Sequence, residues 1–198
     1  MNNAKPKIKE RILEVLWQQM ADASYDDVAN HIAEKYLIQI AKKSNNTELL
    51  NKMALFKSLS IGSNAPDFTL RVKENDVFVS KQLSQINIAE KYIILFWSST
   101  CSHCLAEIPQ LQAYIKNLEK GKLKVIAVGL EDDSENWKKQ AINYPNFIHV
   151  LGLKKWDNEI GNDYNVVATP TYFLLDKDKK IIAKPYDFEE LKVILEDN

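Results

Sequence analysis

Apolar residues recur at helical spacing through the first 58 residues of the chain. Pro6 suits the first position of a helix, because proline there loses no hydrogen bond and its φ angle is already helical. The apolar positions that predict three helices are Ile8, Ile12, Val15, Leu16 and Met20, then Val28, Ile32 and Tyr36, then Leu49, Leu50, Met53 and Leu55. The pattern therefore predicts an all-helical N-terminal segment, residues 1–58.

From residue 59 onward, short apolar runs typical of strands alternate with helical patterns. The predicted strands are 68–72, 77–79, 92–97, 123–130, 147–150, 171–175 and 180–183, and the predicted helices are 102–118, 134–143 and 188–195. This order favours an α/β domain over residues 59–198, with a central mixed β-sheet flanked by helices. Active sites in such sheets lie beyond the carboxyl ends of the strands.

Composition limits the function classes. Hydrophobic residues make up 45% of the chain and charged residues 27%, a globular balance. The 26 basic and 27 acidic residues give a net charge of -1, so we expect no nucleic-acid partner and no attraction to anionic membranes. Residues 1–11 contain no apolar core of a signal peptide, and the sequence by itself leaves the compartment open.

The only two cysteines of the chain, Cys101 and Cys104, follow the apolar run 92–97 at the predicted start of a helix. The unpaired N–H groups and positive dipole end of a helix stabilise a thiolate there. Two intervening residues let the second sulfur reach the first within one turn. The spacing therefore predicts a redox pair, in which Cys101 attacks a disulfide and Cys104 resolves the mixed disulfide.

Two other interpretations of the pair are weaker. A structural zinc site usually needs four ligands, and the chain offers only His31, His103 and His149 besides the two cysteines. An inert bridge across two residues would constrain the unfolded chain very little. The acidic run 131–133 would suit a metal, but such runs more often mark the N-terminus of a helix.

At these residues the sequence resembles thioredoxin-fold proteins. Residues 97–104, WSSTCSHC, match the W-x-x-x-C-x-x-C motif, and Pro109 matches the kinking proline of the active-site helix. Residues 168–173, ATPTYF, match the cis-proline loop of that fold. Residues 62–68, GSNAPDF, and the C-x-x-E-x-P run at 104–109 are similar to the TlpA/ResA-like group, which is related to the AhpC/TSA redoxins.

The resemblance assigns roles to particular positions. It implies that Pro170 is cis, packs against the redox pair, and follows a residue, Thr169, that pairs with the substrate backbone. Trp97, Thr100, Ser102 and His103 fall at substrate-binding and tuning positions around the pair. A positive charge on His103 would favour the Cys101 thiolate, although a histidine in such a loop can also be an ordinary surface residue.

Two positions depart from the thioredoxin pattern. Leu95 stands where cytosolic thioredoxins carry a buried Asp that manages the proton of the resolving cysteine. Glu107 is the expected substitute, as a proton acceptor; its alternative is an exposed helix residue in a salt bridge. Thr100 replaces the tryptophan that often precedes the first cysteine, which puts thioredoxin-like partner recognition in doubt.

The resemblance implies a thiol–disulfide oxidoreductase that acts on protein disulfides or dithiols and is recycled by an upstream redox partner. It implies no cofactor beyond the Cys101–Cys104 disulfide, no metal, and a bacterial cell envelope or periplasmic location, with a cytoplasmic one left open. Residues 1–58 resemble helical regions ahead of such domains and are a possible surface for self-association.

Two alternatives and one question stay open from the sequence. A peroxiredoxin shares the A-P-D-F run, but its motif requires a proline where this chain has Ile94 or Trp97. A non-catalytic binding module would leave the cysteine pair unused. The direction of electron flow is open, because TlpA/ResA-like proteins are often reductants whereas His103 favours an oxidant.

Overall fold

The computed structural model describes residues 6–23, 25–75 and 77–197. The chain divides after Ser63 into two compact units, each described separately below. This division lies close to the boundary predicted after residue 58. That residues 1–58 and 59–198 are separate domains stays a prediction.

The first unit is helical, as predicted. Its elements are α1 (Pro6–Asp22), α2 (Asp26–Ile32), a π-helical turn (Ala33–Leu37), α3 (Ile38–Lys43) and α4 (Thr47–Ser58). The buried residues Trp17, Ala29, Ala33, Leu37, Ala41, Leu49 and Met53 form its core.

Of the five apolar positions predicted for α1, only Met20 packs against the core, and it is partly buried. Ile8, Ile12, Val15 and Leu16 are between 41% and 55% exposed, whereas Trp17 is 3% exposed. Trp17 packs edge-on against Phe56 with 5.6 Å between ring centroids. The largest apolar side chain of the helix thus decides which face is buried, because it removes the most apolar area from water.

The second unit contains the predicted mixed sheet. Its strands are β1 (Thr69–Glu74), β2 (Val77–Gln82), β3 (Lys91–Trp97), β4 (Leu123–Glu131), β5 (Ile148–Leu153), β6 (Thr171–Asp176) and β7 (Ile181–Ala183). Five of them form one sheet in the order β5-β4-β3-β6-β7, and β1 and β2 form a separate antiparallel hairpin. Strands β3, β4 and β5 run parallel, and β6 runs antiparallel to β3.

The helices of this unit are α5 (Ser102–Lys116), α6 (Glu135–Ala141), α7 (Glu159–Asp163) and α8 (Phe188–Glu196). The sequence pattern did not predict helix α7, because five residues are too few for a periodic signal. No helix in the described ranges has the length and apolar character needed to cross a membrane.

Strand β3 separates the two faces of the sheet by alternation of its side chains. Ile93, Leu95 and Trp97 pack in the cluster that holds residues of α5 and α8. Phe96 instead packs against Tyr164, with ring centroids 5.1 Å apart. The residues that follow Trp97 therefore leave the sheet at its carboxyl edge, directly above the cluster that α5 covers.

Candidate active site

Cys101 is the N-cap of α5, with φ -85° and ψ 116°. Its Sγ accepts a hydrogen bond from the backbone N–H of Cys104 at 3.2 Å, as a capping side chain does. Both cysteines are free thiols; Cys101 is partly exposed and Cys104 is fully buried. One sulfur can therefore meet a large partner, whereas the other can react only within the protein.

The loop before β6 brings Thr169 to Cys101. Strand β6 pairs antiparallel with β3, so its first residue, Thr171, lies opposite Phe96 near the end of β3. The Cys101 thiol donates to the Thr169 carbonyl at 3.2 Å. The Thr169–Pro170 peptide bond is cis, which confirms that prediction.

The pKa of the Cys101 thiol is lowered. Partial burial acts in the opposite direction, because it disfavours the charged form. Hydrogen bonds from the Cys104 thiol, the Thr169 side chain and the backbone N–H groups of Cys104 and His103 outweigh burial. The Thr169 carbonyl accepts from the protonated thiol only, so these donors, and not the carbonyl, favour the thiolate.

Burial raises the pKa of Cys104 to about 12, and its hydrogen bond to Cys101 adds to the rise. Burial also raises the pKa of two tyrosines, Tyr144 and Tyr172; Glu107 adds to the rise at Tyr172, and Cys104 makes a smaller contribution at both. The resolving thiol therefore needs help to lose its proton at neutral pH.

Glu107 lies on α5, half-buried, and its Oε2 accepts two hydrogen bonds. The Tyr172 hydroxyl donates to it at 2.9 Å, and the backbone N–H of Phe188 donates at 3.0 Å. Tyr172 pairs in register with Leu95, the position that lacks the thioredoxin aspartate. A phenol hydrogen-bonded to a carboxylate thus stands beside that position, and the sequence pattern missed Tyr172 because a tyrosine in a strand looks like ordinary packing.

The other predicted site residues fall into two groups. Thr100, Ser102 and His103 are exposed next to Cys101 in the chain. Trp97 is fully buried and packs edge-on against Tyr144, with 6.1 Å between ring centroids. Any influence of Trp97 on the pair therefore passes through packing rather than substrate contact.

The acidic run 131–133 is divided by the structure. Glu131 ends β4 and is 5% exposed, so it is not part of the N-terminus of α6, which begins at Glu135. Asp132 is exposed and forms an ion pair with Lys155 at 3.6 Å. In the described part of the chain, no three His, Cys, Asp or Glu side chains are grouped as a metal would require.

A cavity of about 820 Å³ runs beside β1 and β5, and neither cysteine lines it. Among its lining residues are Phe78, Trp137, Phe147 and His149. Cys101 is thus reached from the surface at the carboxyl end of β3, with Cys104 buried behind it, and not through this cavity. A surface position suits a macromolecular disulfide better than a small enclosed ligand.

A model described as the AhpC/TSA family matches residues 61–184, more than half of the chain. The chain belongs to the AhpC/TSA family. Among curated relatives, this AhpC/TSA protein is similar to "Thiol-disulfide oxidoreductase ResA" of Bacillus thuringiensis (strain Al Hakam), with 31% identity over 136 residues. That match covers 65% of this chain and 70% of the relative.

Solved structures support the fold of this AhpC/TSA protein. The thioredoxin domain of a thiol-disulfide oxidoreductase from Bacteroides vulgatus is 30% identical, with a TM-score of 0.56 over 71% of this chain and 98% of that one. A thioredoxin-like protein from Bacteroides caccae matches 98% of this chain and 78% of its own length, with a TM-score of 0.62. At 18% identity, the second match bears on the fold alone.

The predicted thioredoxin-like fold with N-terminal helices is therefore confirmed. The predicted enzyme class is confirmed as well: this AhpC/TSA protein is a thiol–disulfide oxidoreductase.

Proposed function

We propose that the protein exchanges disulfides with protein substrates, with Cys101 as nucleophile and Cys104 as resolving thiol. The asymmetry of the two thiols carries this proposal. Cys101 is partly exposed and its pKa is lowered, whereas Cys104 is fully buried and its pKa is raised to about 12. An accessible thiolate attacks first, and a buried thiol waits to act within the same molecule.

The reaction has two exchange steps. The Cys101 thiolate attacks one sulfur of the substrate disulfide; a Cys101–substrate bond forms, the substrate S–S bond breaks, and the leaving sulfur takes a proton. Cys104 then loses its proton and attacks Cys101 Sγ, which forms the Cys101–Cys104 disulfide and releases the second substrate thiolate. Two electrons pass to the substrate, and the reverse sequence oxidises a dithiol.

Glu107 is the proposed proton acceptor for Cys104, reached through Tyr172. The Tyr172 hydroxyl already donates to Glu107, and the charge of Cys104 acts on the pKa of Tyr172. As the Cys104 proton arrives at the Tyr172 oxygen, the phenol proton can pass to the carboxylate. This pathway places a general base within the protein, since Leu95 supplies no carboxylate.

The Thr169 backbone is the proposed pairing edge for the substrate, flanked by Pro170. Its carbonyl already lies 3.2 Å from Cys101 Sγ, so a chain paired there would carry its disulfide to the nucleophile. Thr100, Ser102 and His103 are the exposed residues proposed to touch and tune that partner.

The remaining assignments complete the proposal. The redox-active disulfide is the only cofactor, protein dithiols or disulfides are substrates, and an upstream thiol partner recycles the pair. We place the protein in a bacterial envelope or periplasm. The sequence supports this location because both cysteines belong to the pair, which leaves no stray thiol to form wrong disulfides in an oxidising compartment.

The test uses insulin as a defined protein disulfide and dithiothreitol as electron source. Wild type should accelerate insulin reduction, Cys101→Ser should abolish the acceleration, and Cys104→Ser should accumulate a mixed disulfide with insulin. Full activity of Cys101→Ser would show the proposal to be wrong. Faster consumption of hydrogen peroxide than of insulin would instead favour the peroxidase alternative.

The reduction potential of the Cys101–Cys104 pair decides the direction of electron flow. It is measured by equilibration with glutathione buffers. A value of roughly -270 mV, as in thioredoxin, would indicate a reductant. A value of roughly -120 to -180 mV would indicate an oxidant or isomerase.

A further inference from the structure

Glu131 is a buried carboxylate whose hydrogen bonds come from the active-site loop. It is 5% exposed at the end of β4. Ser99 donates its backbone N–H to Oε1 and its hydroxyl to Oε2, the latter at 3.1 Å, and the Ser98 hydroxyl donates to Oε2 at 3.4 Å. A buried charge is stabilised only where donors replace its lost water, and here the loop supplies them.

The sheet register explains why the carboxylate reaches this loop. Strand β3 pairs in parallel with β4 up to Trp97 and Gly129, and β4 then continues for two residues to Glu131. Ser99 likewise lies two residues beyond Trp97, where β3 has already ended. The Glu131 side chain therefore accepts the Ser99 N–H that has lost its partner in the ladder.

The anchored loop contacts both cysteines. The Ser98 carbonyl accepts from the Cys101 N–H at 3.1 Å, and the backbone of Ser98 hydrogen-bonds the Cys104 sulfur. The Ser98 hydroxyl also accepts from the Thr100 N–H at 3.4 Å. A displacement of Ser98 would thus move the nucleophile away from the N-terminus of α5 and from the Thr169 carbonyl.

We propose that Glu131 is a positioning residue of the redox site, which fixes the Ser98–Ser99 loop and through it the Cys101 sulfur. This inference rests on the proposed role of Cys101 as nucleophile. Glu131 does not touch the substrate or the reacting sulfurs. It holds the geometry in which backbone N–H groups stabilise the Cys101 thiolate.

The test compares Glu131→Ala, Glu131→Gln and the control Asp132→Asn. Each reduced protein is pulsed with iodoacetamide from pH 5 to 10, and alkylation of Cys101 is followed by peptide mass spectrometry. Glu131→Ala should slow alkylation at pH 7 about tenfold, which corresponds to a rise of one unit in the apparent pKa of Cys101. Glu131→Gln, which keeps an oxygen for the Ser99 N–H, should recover most of the rate.

Asp132→Asn removes the neighbouring exposed carboxylate and should leave the pH profile unchanged. An unchanged Cys101 profile in Glu131→Ala, whether or not its melting temperature falls, would overturn the proposal. A shift of similar size in Asp132→Asn would overturn it too, since a general loss of charge would then be the cause. The alkylation rate does not depend on catalytic turnover. If the wild-type protein fails to reduce insulin, the proposed function is wrong, and the alkylation profiles still test the role of Glu131.

Discussion

At the scale of single residues, the site depends on two identical thiols that differ in their surroundings. Cys101 keeps partial access to solvent, and hydrogen bonds from the Cys104 thiol, from the Thr169 side chain and from backbone N–H groups outweigh its partial burial, so its pKa falls. Cys104 lies one turn further into α5, fully buried, and its pKa rises to about 12. Three residues of helix are enough to move one thiol from solvent into the core, and this separates attack from resolution.

The hydroxyl of Tyr172 should matter for the second step. Tyr172→Phe removes the donor to Glu107 and should slow resolution of the mixed disulfide about tenfold, because the proton of Cys104 loses its path. Rapid acid quenching of the insulin mixed disulfide measures this rate. The matched control is Tyr164→Phe, which removes a buried hydroxyl that donates to the Pro66 carbonyl at 2.7 Å.

Both tyrosine variants should lose about 1 kcal/mol in the free energy of unfolding, since each removes one buried hydrogen bond. Only Tyr172→Phe should change the resolution rate. Equal rates in the two variants would contradict the proposed proton path.

At the scale of elements, α5 combines a redox group with a helix cap. The Cys101 sulfur takes the place of the usual capping oxygen and accepts the Cys104 N–H. Pro109 lies inside the same helix, where it removes one backbone donor and favours a kink. The helix therefore presents its N-terminus to the redox pair while its later turns pack on the sheet.

Two substitutions of Cys101 should distinguish its role as a helix cap from its role as the nucleophile. Cys101→Ser keeps an acceptor for the Cys104 N–H, whereas Cys101→Ala leaves that N–H without a capping side chain. We expect Cys101→Ala to be about 1 kcal/mol less stable than Cys101→Ser in urea unfolding under reducing conditions, with both variants inactive on insulin. Equal stabilities would show that the sulfur does not act as a cap.

At the scale of the whole molecule, the topology brings separate segments to the carboxyl edge of β3. The parallel neighbour β4 delivers Glu131, and the antiparallel neighbour β6 delivers the Thr169–Pro170 loop. Helix α8 delivers the N–H of Phe188 to Glu107. Each of these groups comes from a different part of the chain, so the site exists only when the sheet is assembled.

The burial of Cys104 makes the stability of the reduced protein depend on pH. A thiol with a raised pKa contributes stability below its unfolded pKa of about 8.5, and this stability is lost as pH rises toward the folded pKa. For Cys104 the loss should run from about pH 8.5 toward 12, at about 1.4 kcal/mol per pH unit. Cys101 has the opposite sign: its lowered pKa adds stability that is lost only as pH falls below about 8.5.

Urea unfolding of the reduced and oxidised protein between pH 7 and 10 measures this effect. The oxidised form has no free thiol and is the matched control. The stability of the reduced form should decline relative to the oxidised form above about pH 8.5. If the free energy of unfolding changes with pH equally in the two forms, the fold does not hold Cys104 protonated.

The sequence by itself determined the strands of the second unit, its helices other than α7, and the position of the chemistry. The apolar runs predicted β3, β4 and β6 within a few residues, because buried strands need continuous apolar residues. The spacing of Cys101 and Cys104 predicted the redox pair, because the constraint is local: two sulfurs within one turn at a helix start. The cis bond at Pro170 followed from the resemblance and is confirmed.

Only the tertiary structure decided which distant groups meet. Glu131 looked like part of an exposed acidic run, and Tyr172 looked like an ordinary strand residue; the register of β3 with β4 and β6 brought them to the loop and to Glu107. On α1, Trp17 and not the periodic Ile8 is buried. Local periodicity indicates which residues can be buried. Long-range strand pairing and side-chain shape decide which of these residues are buried and what each buried polar group contacts.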